Sequence, residues 1–260
     1  MATQKQISGG RAGRTAGFKL EQQLKVKYNG VEPENGQDLW GERSTISKTD
    51  IIFGKKNCSI KNSGTATQIQ ICSAERFSRK FNLPKKVKEA LDQFVGNHPL
   101  LLTKKGFKRN PTVMKEVCEQ WSVNFKDLDS KSEQNRGRLT AKNIKNMNHL
   151  VDWFTNNIEA VYRFTLAESF NNPKNKKNIA NTIWWAAVKD DPDSIVEFDI
   201  EEIITQAKKK AKVKIRESQT VIELGPLTLQ MKGSGKSGLN YHSMQFNMSL
   251  KDLTKFMEEK

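Results

Sequence analysis

The sequence predicts an α/β fold in which a central mixed β-sheet is flanked by helices. Two regions, near residues 48–72 and 182–200, carry short β-branched and aromatic runs between turn residues, which is the pattern of strands. Between them, residues 73–170 have apolar side chains mainly at helical spacing. The C-terminal part returns to short strand-like segments, VKIRES, QTVIELG, LTLQMKG and MQFNMSL, separated by turn residues. Strands on both sides of a helical region favour a layered α/β fold.

The composition limits the size and the partners of the protein. A chain of 260 residues suffices for one large domain or two small ones, and it can bury a core without disulfides. Lys and Arg number 44 against 29 Asp and Glu, which gives a formal net charge of +15. An excess of this size favours a polyanionic partner, and nucleic acid is the first candidate. The alternative is that lysine is simply a frequent surface residue in the source of this protein.

Neither the cysteines nor the hydropathy indicate secretion or a membrane. Cys58, Cys72 and Cys118 are widely spaced, and none forms a CxxC pair or lies near histidine at metal-ligand spacing. The N-terminus lacks the apolar segment of a signal peptide, and an odd cysteine count without such a signal indicates reduced thiols. No run approaches the roughly 18 apolar residues that span a bilayer. We therefore expect a cytoplasmic protein without a membrane partner.

No clean domain boundary follows the N-terminal segment. Residues 1–16 are polar, basic and glycine-containing, and we predict that they form a flexible arm. The arm either lies along a phosphate backbone or is simply a frayed terminus. Residues 17–260 are predicted to form a single domain, because no linker or internal repeat divides them.

A helix is predicted over residues 17–28, GFKLEQQLKVKY. Phe18, Leu20 and Leu24 lie near one face of this helix, which is expected to face the core. Glu21 lies beside that face. Its carboxylate is either solvated, which is the commoner case, or points into a site as a metal ligand or orienting group.

A loop over residues 31–47 leads into a predicted β-hairpin over 48–61. Two short strands, TDIIF and CSIK, flank the turn GKKN. In a hairpin of this length Asp50 and Lys61 can lie side by side, and Ser59 shares a face with Lys61 because side chains alternate along a strand. A carboxylate and an amine at a strand end are the groups with which many nucleases hold a divalent metal and a water beside a phosphate.

Small hydroxyl and amide residues follow the hairpin, in the segment NSGTATQIQ. This segment leaves the lysine strand as a Gly/Thr/Ser loop and continues into further apolar residues. Beside a metal site, such side chains are well placed to contact sugar-phosphate or base edges. An ordinary polar turn is the alternative interpretation.

The middle of the chain is predicted to contain several helices. Proline begins a helix over 84–95, and further helices are predicted over 112–125 and 140–170. Thr140 is a plausible N-cap for the last of these. The aromatic clusters LVDWF and AVYRF in this helix are predicted to be core faces rather than cofactor sites.

Two later segments carry charge that favours no site by itself. After the buried strand predicted over 182–188, three aspartates at 190–193 surround a proline, and a solvated turn is a better interpretation than a metal site. A basic helix is predicted over 203–212, with the run AKKKAK. Lysine runs of this kind usually form a solvated face, although this one agrees with the overall positive charge.

A glycine-rich loop near the C-terminus resembles a phosphate loop only superficially. Its GSGKS lacks the required earlier glycine, since Gln230 occupies that position. The segment 231–240 is instead predicted to be a basic hairpin loop whose backbone can approach a nucleic acid groove. Lys232 and Lys236 could read guanine O6 and N7 or simply bind phosphate.

The hairpin residues Asp50 and Ser59-Ile60-Lys61 resemble the PD-(D/E)XK nuclease signature. Three further features add to the resemblance, namely Glu21 in GFKLEQQL, the QIQ step after the lysine, and the run LTLQMKG followed by SMQF. Together they are similar to the small type II restriction endonucleases related to MspI, which cut four-base, GC-rich palindromes. The resemblance covers residues 13–72 and 195–256, and it implies a restriction-endonuclease-like core.

The resemblance also implies a role for each matching residue. Asp50 and the backbone carbonyl of Ile60 would ligate Mg²⁺, Lys61 would orient the attacking water or help to deprotonate it, and Glu21 would support the site. Ser59 would bind a metal-held water without adding charge. DNA contacts are implied for Gln68, Lys232, Ser234, Lys236, Asn240 and Gln245.

The function implied is Mg²⁺-dependent, sequence-specific hydrolysis of phosphodiester bonds in double-stranded DNA, which leaves 5′-phosphates. A restriction enzyme of this kind acts as a monomer or a homodimer. One alternative is a structure-selective or repair nuclease of the same fold. The other is a non-catalytic basic nucleic-acid-binding protein, in which Asp50 and Lys61 form a surface ion pair.

Overall fold

The protein has a mixed α/β architecture, as the sequence predicts. The computed structural model describes residues 18–44, 47–62, 67–102, 111–124, 128–129, 138–216, 219–231 and 243–259. The predicted arm over 1–16 and four of the predicted DNA-contact residues, Lys232, Ser234, Lys236 and Asn240, lie outside the described residues.

Groups of strands and groups of helices follow one another along the chain, and most lie where the sequence predicts them. The strands are β1 (Gly36–Gln37), β2 (Arg43–Ser44), β3 (Ile51–Phe53), β4 (Lys56–Lys61), β5 (Thr67–Ser73), β6 (Leu128–Asp129), β7 (Arg138–Leu139), β8 (Thr182–Ala186), β9 (Ile195–Asp199), β10 (Val213–Arg216), β11 (Val221–Leu224), β12 (Leu227–Met231) and β13 (Ser243–Met248). The helices are α1 (18–28), α2 (Ala74–Phe81), α3 (Lys85–Val95), α4 (Pro99–Leu102), α5 (Pro111–Trp121), α6 (Met147–Asn156), α7 (Ile158–Tyr162), α8 (Ile200–Lys210) and α9 (Leu250–Glu258). None of the described helices is long and apolar enough to cross a membrane.

One sheet is mixed and carries the predicted hairpin. Its four strands have the order β3-β4-β8-β9. β3 and β4 are antiparallel, β4 and β8 are parallel, and β8 and β9 are antiparallel. All five residues of β8 are buried, which explains its continuous apolar sequence TIWWA. The mixed sheet and the α/β class are therefore confirmed.

Helix α1 packs against this sheet through two of the residues that its periodicity predicts. Leu20 and Leu24 are fully buried, whereas Phe18 is 62% exposed. Their core cluster also contains Ile51, Cys58, Ile60, Trp184 and Ala186. Burying each large apolar side chain contributes about 1.5–3 kcal/mol, so this cluster fixes α1 against the hairpin. Glu21, the neighbour of Leu20, is therefore held close to the sheet.

The described residues divide into two compact units. The unit with the hairpin contains 18–70, Ile158–Ala211 and 247–259, and the other contains Ile71–Asn157 and Lys212–Phe246. Most of a five-stranded sheet, with the order β10-β11-β12-β13-β5, belongs to the second unit. The aromatic rings that form its core are those of Phe77, Phe81, Trp153, Phe154 and Phe246. The single domain expected over 17–260 stays a prediction.

The single helix predicted over 140–170 is wrong. Thr140 precedes only a 3₁₀ turn (Ala141–Asn143), and its side chain makes no capping hydrogen bond. Asn146 then adopts a left-handed conformation with φ of 61°, which a helix interior does not accommodate. The segment consequently forms α6, α7 and a π-helical turn (Arg163–Glu168) in succession.

Candidate active site

The hairpin places Asp50 beside the end of β4. Its turn is tighter than predicted, because Gly54 takes a left-handed φ of 57° and β4 begins already at Lys56. The backbone N–H of Asp50 donates to the carbonyl of Cys58 at 2.8 Å, which extends the pairing by one residue beyond β3. Asp50 Oδ2 then accepts a hydrogen bond of 2.6 Å from the backbone N–H of Ile60. The carboxylate is therefore positioned by the backbone of the strand opposite.

Lys61 lies at the end of the same strand, next to Asp50. Its Nζ is 3.9 Å from Asp50 Oδ2, and it donates at 2.8 Å to both Ser59 Oγ and the carbonyl oxygen of Ile60. Ser59 Oγ is also 3.5 Å from Asp50 Oδ2. The structure thus brings together four of the predicted catalytic and metal-binding groups. Their chemical roles stay predictions.

Glu21 reaches the same place from helix α1. Burial, and then the negative charge of Asp50, raise the pKa of Glu21 to about 7, while Lys61 lowers it and Glu32 raises it further. Glu21 therefore lies within electrostatic range of both Asp50 and Lys61. Its carboxyl group makes no hydrogen bond or ion pair within the described part of the chain. Glu21 thus lies beside Asp50, and its role as a metal ligand or orienting group stays a prediction.

A cleft of about 300 Å³ opens beside these carboxylates. Glu21 and Asp50 line it together with Glu32, Glu34 and Asn178. Glu32 is exposed and pairs with Lys25, whose Nζ lies 2.8 Å from its Oε1; this contact, and then a hydrogen bond from Gln22, lower the pKa of Glu32. Glu32 and Glu34 lie in the segment that is predicted to be a connecting loop because it contains Pro33, Gly36 and Gly41. No local signal could have placed Asn178 here, since it is far from the hairpin in sequence.

The oxygen atoms at this site suit a hard divalent cation. Asp50 Oδ1 accepts no hydrogen bond from the described residues, and the Ile60 carbonyl and the Glu21 carboxyl supply further oxygens. Carboxylate, carbonyl and water oxygens are the ligands that Mg²⁺ prefers. Among the described residues, no group of three or more His, Cys, Asp and Glu side chains could hold a metal ion. A cation here would therefore depend on the carbonyl and on waters, and Mg²⁺ stays a prediction.

A buried lysine that the sequence analysis missed fixes the segment before Asp50. Lys48 is only 7% exposed, and its Nζ donates to the carbonyl of Ile69 at 2.7 Å and to Gln70 Oε1 at 3.1 Å. Gln70 in turn donates from Nε2 to Ser169 Oγ at 2.9 Å. The ammonium thereby ties the approach to Asp50 to strand β5. Lysine is seldom buried, so its residue type gave no signal of this role.

The predicted DNA contacts are described at two positions. Gln68 is exposed on β5, and Gln245 is half-buried on β13. Their DNA contacts stay predictions.

The acidic turn over 190–193 is a structural feature, as the sequence analysis favours. The backbone N–H of Asp190 donates to Asn62 Oδ1 at 2.9 Å, and Asn62 Nδ2 donates back to Asp190 Oδ1 at 2.5 Å. Asp193 pairs with Lys27 at 2.5 Å. The aspartates thus hold the turn and α1 rather than converge on one point.

Comparison with known proteins gives one structural likeness to report. No protein-family model matches the chain, and no curated protein sequence matches it. Among solved structures, the chain is similar to the restriction endonuclease MspI in complex with its cognate DNA, at 13% sequence identity. The match has a TM-score of 0.44 and covers 84% of this chain and 69% of the MspI chain. A likeness at this level assigns no activity to the chain.

Proposed function

We propose that the protein is a Mg²⁺-dependent endonuclease that hydrolyses phosphodiester bonds in double-stranded DNA. The observation that carries the proposal is the group at the end of β4. There the Asp50 carboxylate, the Ile60 carbonyl and the Lys61 ammonium lie together, with Lys61 Nζ 3.9 Å from Asp50 Oδ2. The formal net charge of +15 supports a polyanionic substrate.

Asp50 and the carbonyl of Ile60 would hold Mg²⁺, with Glu21 as a nearby second carboxylate. When bound, Mg²⁺ would lower the pKa of a water and neutralise charge on the phosphate. Burial, and then the negative charge of Asp50, raise the pKa of Glu21, and a cation placed between the two carboxylates would offset both effects.

Lys61 would orient the attacking water against the phosphate. Its ammonium has three N–H groups, and it donates to Ser59 Oγ and to the Ile60 carbonyl. One N–H is left for a water or for a phosphate oxygen. Ser59 is buried and adds no charge, so it would fix the Lys61 side chain and assist in holding a water.

The finer assignment is a type II restriction endonuclease that cuts a short palindrome, four bases long and GC-rich, and leaves 5′-phosphates. It is supported by the sequence resemblance of the hairpin, α1 and the C-terminal strands to that group. Gln68 and Gln245, with the loop that contains Lys232, would supply base and phosphate contacts. The enzyme would act as a monomer or a homodimer.

Digestion of a long unmethylated DNA of known sequence tests this proposal. Wild type with Mg²⁺ should give discrete fragments, and their ends should define the recognised sequence. EDTA or the isosteric change Asp50→Asn should abolish cutting, with a loss of at least about 10³-fold, because EDTA removes the cation and the amide removes the negative charge that would hold it. Asp193→Asn is the matched control and should leave cutting unchanged, since this exposed aspartate pairs with Lys27, outside the candidate site.

The other outcomes separate the alternatives. A smear, or nicking that depends on forks or junctions, would favour a structure-selective nuclease. Absence of cleavage in Mg²⁺ and Mn²⁺, with salt-sensitive DNA binding intact in every variant, would leave a non-catalytic nucleic-acid-binding protein.

A further inference from the structure

The lysine-rich groups of the chain differ in whether their charges already have partners. In the run at the end of α8, Lys208 pairs with Glu159 at 2.9 Å. Lys210 donates to the backbone carbonyls of Phe256 and Glu259. Two of the three consecutive lysines in this run therefore serve contacts within the fold, although the sequence makes the run conspicuous.

A second group of lysines has no such partners. We call residues 171–178 the lysine loop, after its exposed side chains Lys174, Lys176 and Lys177. The ammonium group of none of these three lysines forms an ion pair or a hydrogen bond within the part of the chain that the structure describes. Three cationic groups within four residues repel one another, so this arrangement gains from an anionic partner.

Asparagine side chains fix the backbone of the lysine loop. Asn57 Nδ2 donates to the carbonyls of Lys176 and Ile179 at 2.8 and 2.9 Å. Asn175 Nδ2 donates to the carbonyl of Gln37 at 3.0 Å. Because the backbone is ordered before any partner binds, only the lysine side chains lose freedom on binding, which lowers its entropic cost.

The lysine loop borders the candidate active site. The carbonyl of Asn178 accepts a hydrogen bond of 3.0 Å from the backbone N–H of Lys48, two residues before Asp50. Asn178 also lines the cleft that contains Glu21 and Asp50. Carboxylates in the cleft repel a polyphosphate, and the lysine ammonium groups on the loop beside it attract one.

We propose that Lys174, Lys176 and Lys177 form a phosphate-contact surface that holds the backbone of duplex DNA next to the cleft. This inference rests on the proposed function, since it takes DNA as the substrate. Lysine binds phosphate as a point charge and reads no base, so the surface would position the duplex without selecting its sequence.

The test is DNA binding by the full-length protein in EDTA, where cleavage is absent. Wild type is compared with Lys174→Ala/Lys176→Ala/Lys177→Ala, and the probe is a fluorescein-labelled duplex followed by anisotropy. The logarithm of the association constant K falls linearly with the logarithm of the salt concentration. Each lost phosphate contact makes this slope less steep by about 0.9, so the slope of the triple variant should be less steep than that of wild type by about 2–3. Between about 50 and 200 mM salt, wild type should therefore lose roughly 40-fold more affinity than the variant.

A second triple variant controls for the change in total charge. Lys209→Ala/Lys212→Ala/Lys251→Ala also removes three exposed lysines, and these form no ion pair among the described residues. The control variant should keep the wild-type slope. Equal slopes for the two triple variants would overturn the proposal, because the effect would then follow net charge alone. Unchanged thermal unfolding of both variants would show that the fold is retained.

The proposal and the nuclease function can fail separately. A lower slope for the lysine-loop variant, with no cleavage by wild type in Mg²⁺, would support the surface and overturn the nuclease. Cleavage by wild type with an unchanged slope for the variant would overturn the surface alone. Absence of duplex binding by wild type would overturn both.

Discussion

Strand β4 carries a lysine–carboxylate pair at each end, and the two pairs differ in the distance between their charged groups. At its start, Lys56 Nζ lies 2.6 Å from both oxygens of Glu197. At its end, Lys61 Nζ lies 3.9 Å from the nearer oxygen of Asp50 and donates its hydrogen bonds elsewhere. Lys56 and Glu197 are hydrogen-bonded directly to each other, whereas Lys61 and Asp50 are not, so both charged groups at the end of β4 can contact a ligand.

The surroundings of the two pairs explain this difference. Burial raises the pKa of Glu197, but hydrogen bonds from Lys56 and from Trp184 Nε1 outweigh that effect and lower it overall. The side chains of Lys56 and Glu197 are 42% and 45% exposed, against 13% for Lys61 and 28% for Asp50. The less exposed pair, Lys61 and Asp50, is thus the one without a direct hydrogen bond between its charges. Burying charges without direct pairing lowers stability and is a common property of functional sites.

The largest expected effect is a difference in the rate of DNA cleavage between variants of the two terminal lysines of β4. Lys61→Met should lower the rate of DNA cleavage by about 10²–10⁴-fold, because it removes the cation that would orient the water. Lys56→Met should change the rate by less than about twofold, since Lys56 pairs with Glu197, a carboxylate outside the candidate site. Methionine keeps a long flexible stem in both variants, and cleavage under single-turnover conditions is the measurement. Similar losses in both variants would contradict the contrast.

The next effect concerns Glu21 and the pH dependence of stability. Its pKa is about 7 in the folded protein and 4.5 as its ordinary value, so between these values the folded state holds a proton that the unfolded state has released. The stability from Glu21 is therefore complete below about pH 4.5 and is lost as pH rises through about 7. Glu21→Gln should remove this loss of stability with rising pH.

In EDTA, the Glu21→Gln variant should gain stability relative to wild type as the pH rises from about 5 to about 8, by on the order of 1–2 kcal/mol after allowing for solvent. Urea denaturation at each pH measures the difference. Glu197→Gln is the matched control, because the pKa of Glu197 is lowered and its difference from wild type should move in the opposite direction, at lower pH. A difference that is constant across this range would refute the assignment for Glu21.

The smallest expected effect is the contribution of the Lys56–Glu197 ion pair to stability. A double-mutant cycle of Lys56→Met and Glu197→Gln should give a coupling of about 0.2–1 kcal/mol in the free energy of unfolding, because both side chains are nearly half exposed. The same cycle on Lys61→Met and Asp50→Asn should give less, since their closest atoms are 3.9 Å apart and share no hydrogen bond. A larger coupling for the second pair would mean that it, too, is structural.

The sequence by itself determined the local geometry of the hairpin and the class of the fold. Glycine at position 54 permits the left-handed turn, and alternation along β4 places Ser59 and Lys61 on one face. The uninterrupted apolar run of β8 identified a strand buried on both faces. These features depend on residues close together in the chain, so a linear pattern contains them.

Only the tertiary structure decided which charges remain available. Helical periodicity placed Glu21 beside Leu20, but packing of α1 on the sheet brought it to Asp50. The same holds for the lysines: two in the α8 run have partners in distant segments, whereas the ammonium groups of the lysine loop have none among the residues that the structure describes. The free energy of a charge depends on its neighbours in space and on its distance from water. Those neighbours come from distant parts of the chain, and no local pattern specifies them.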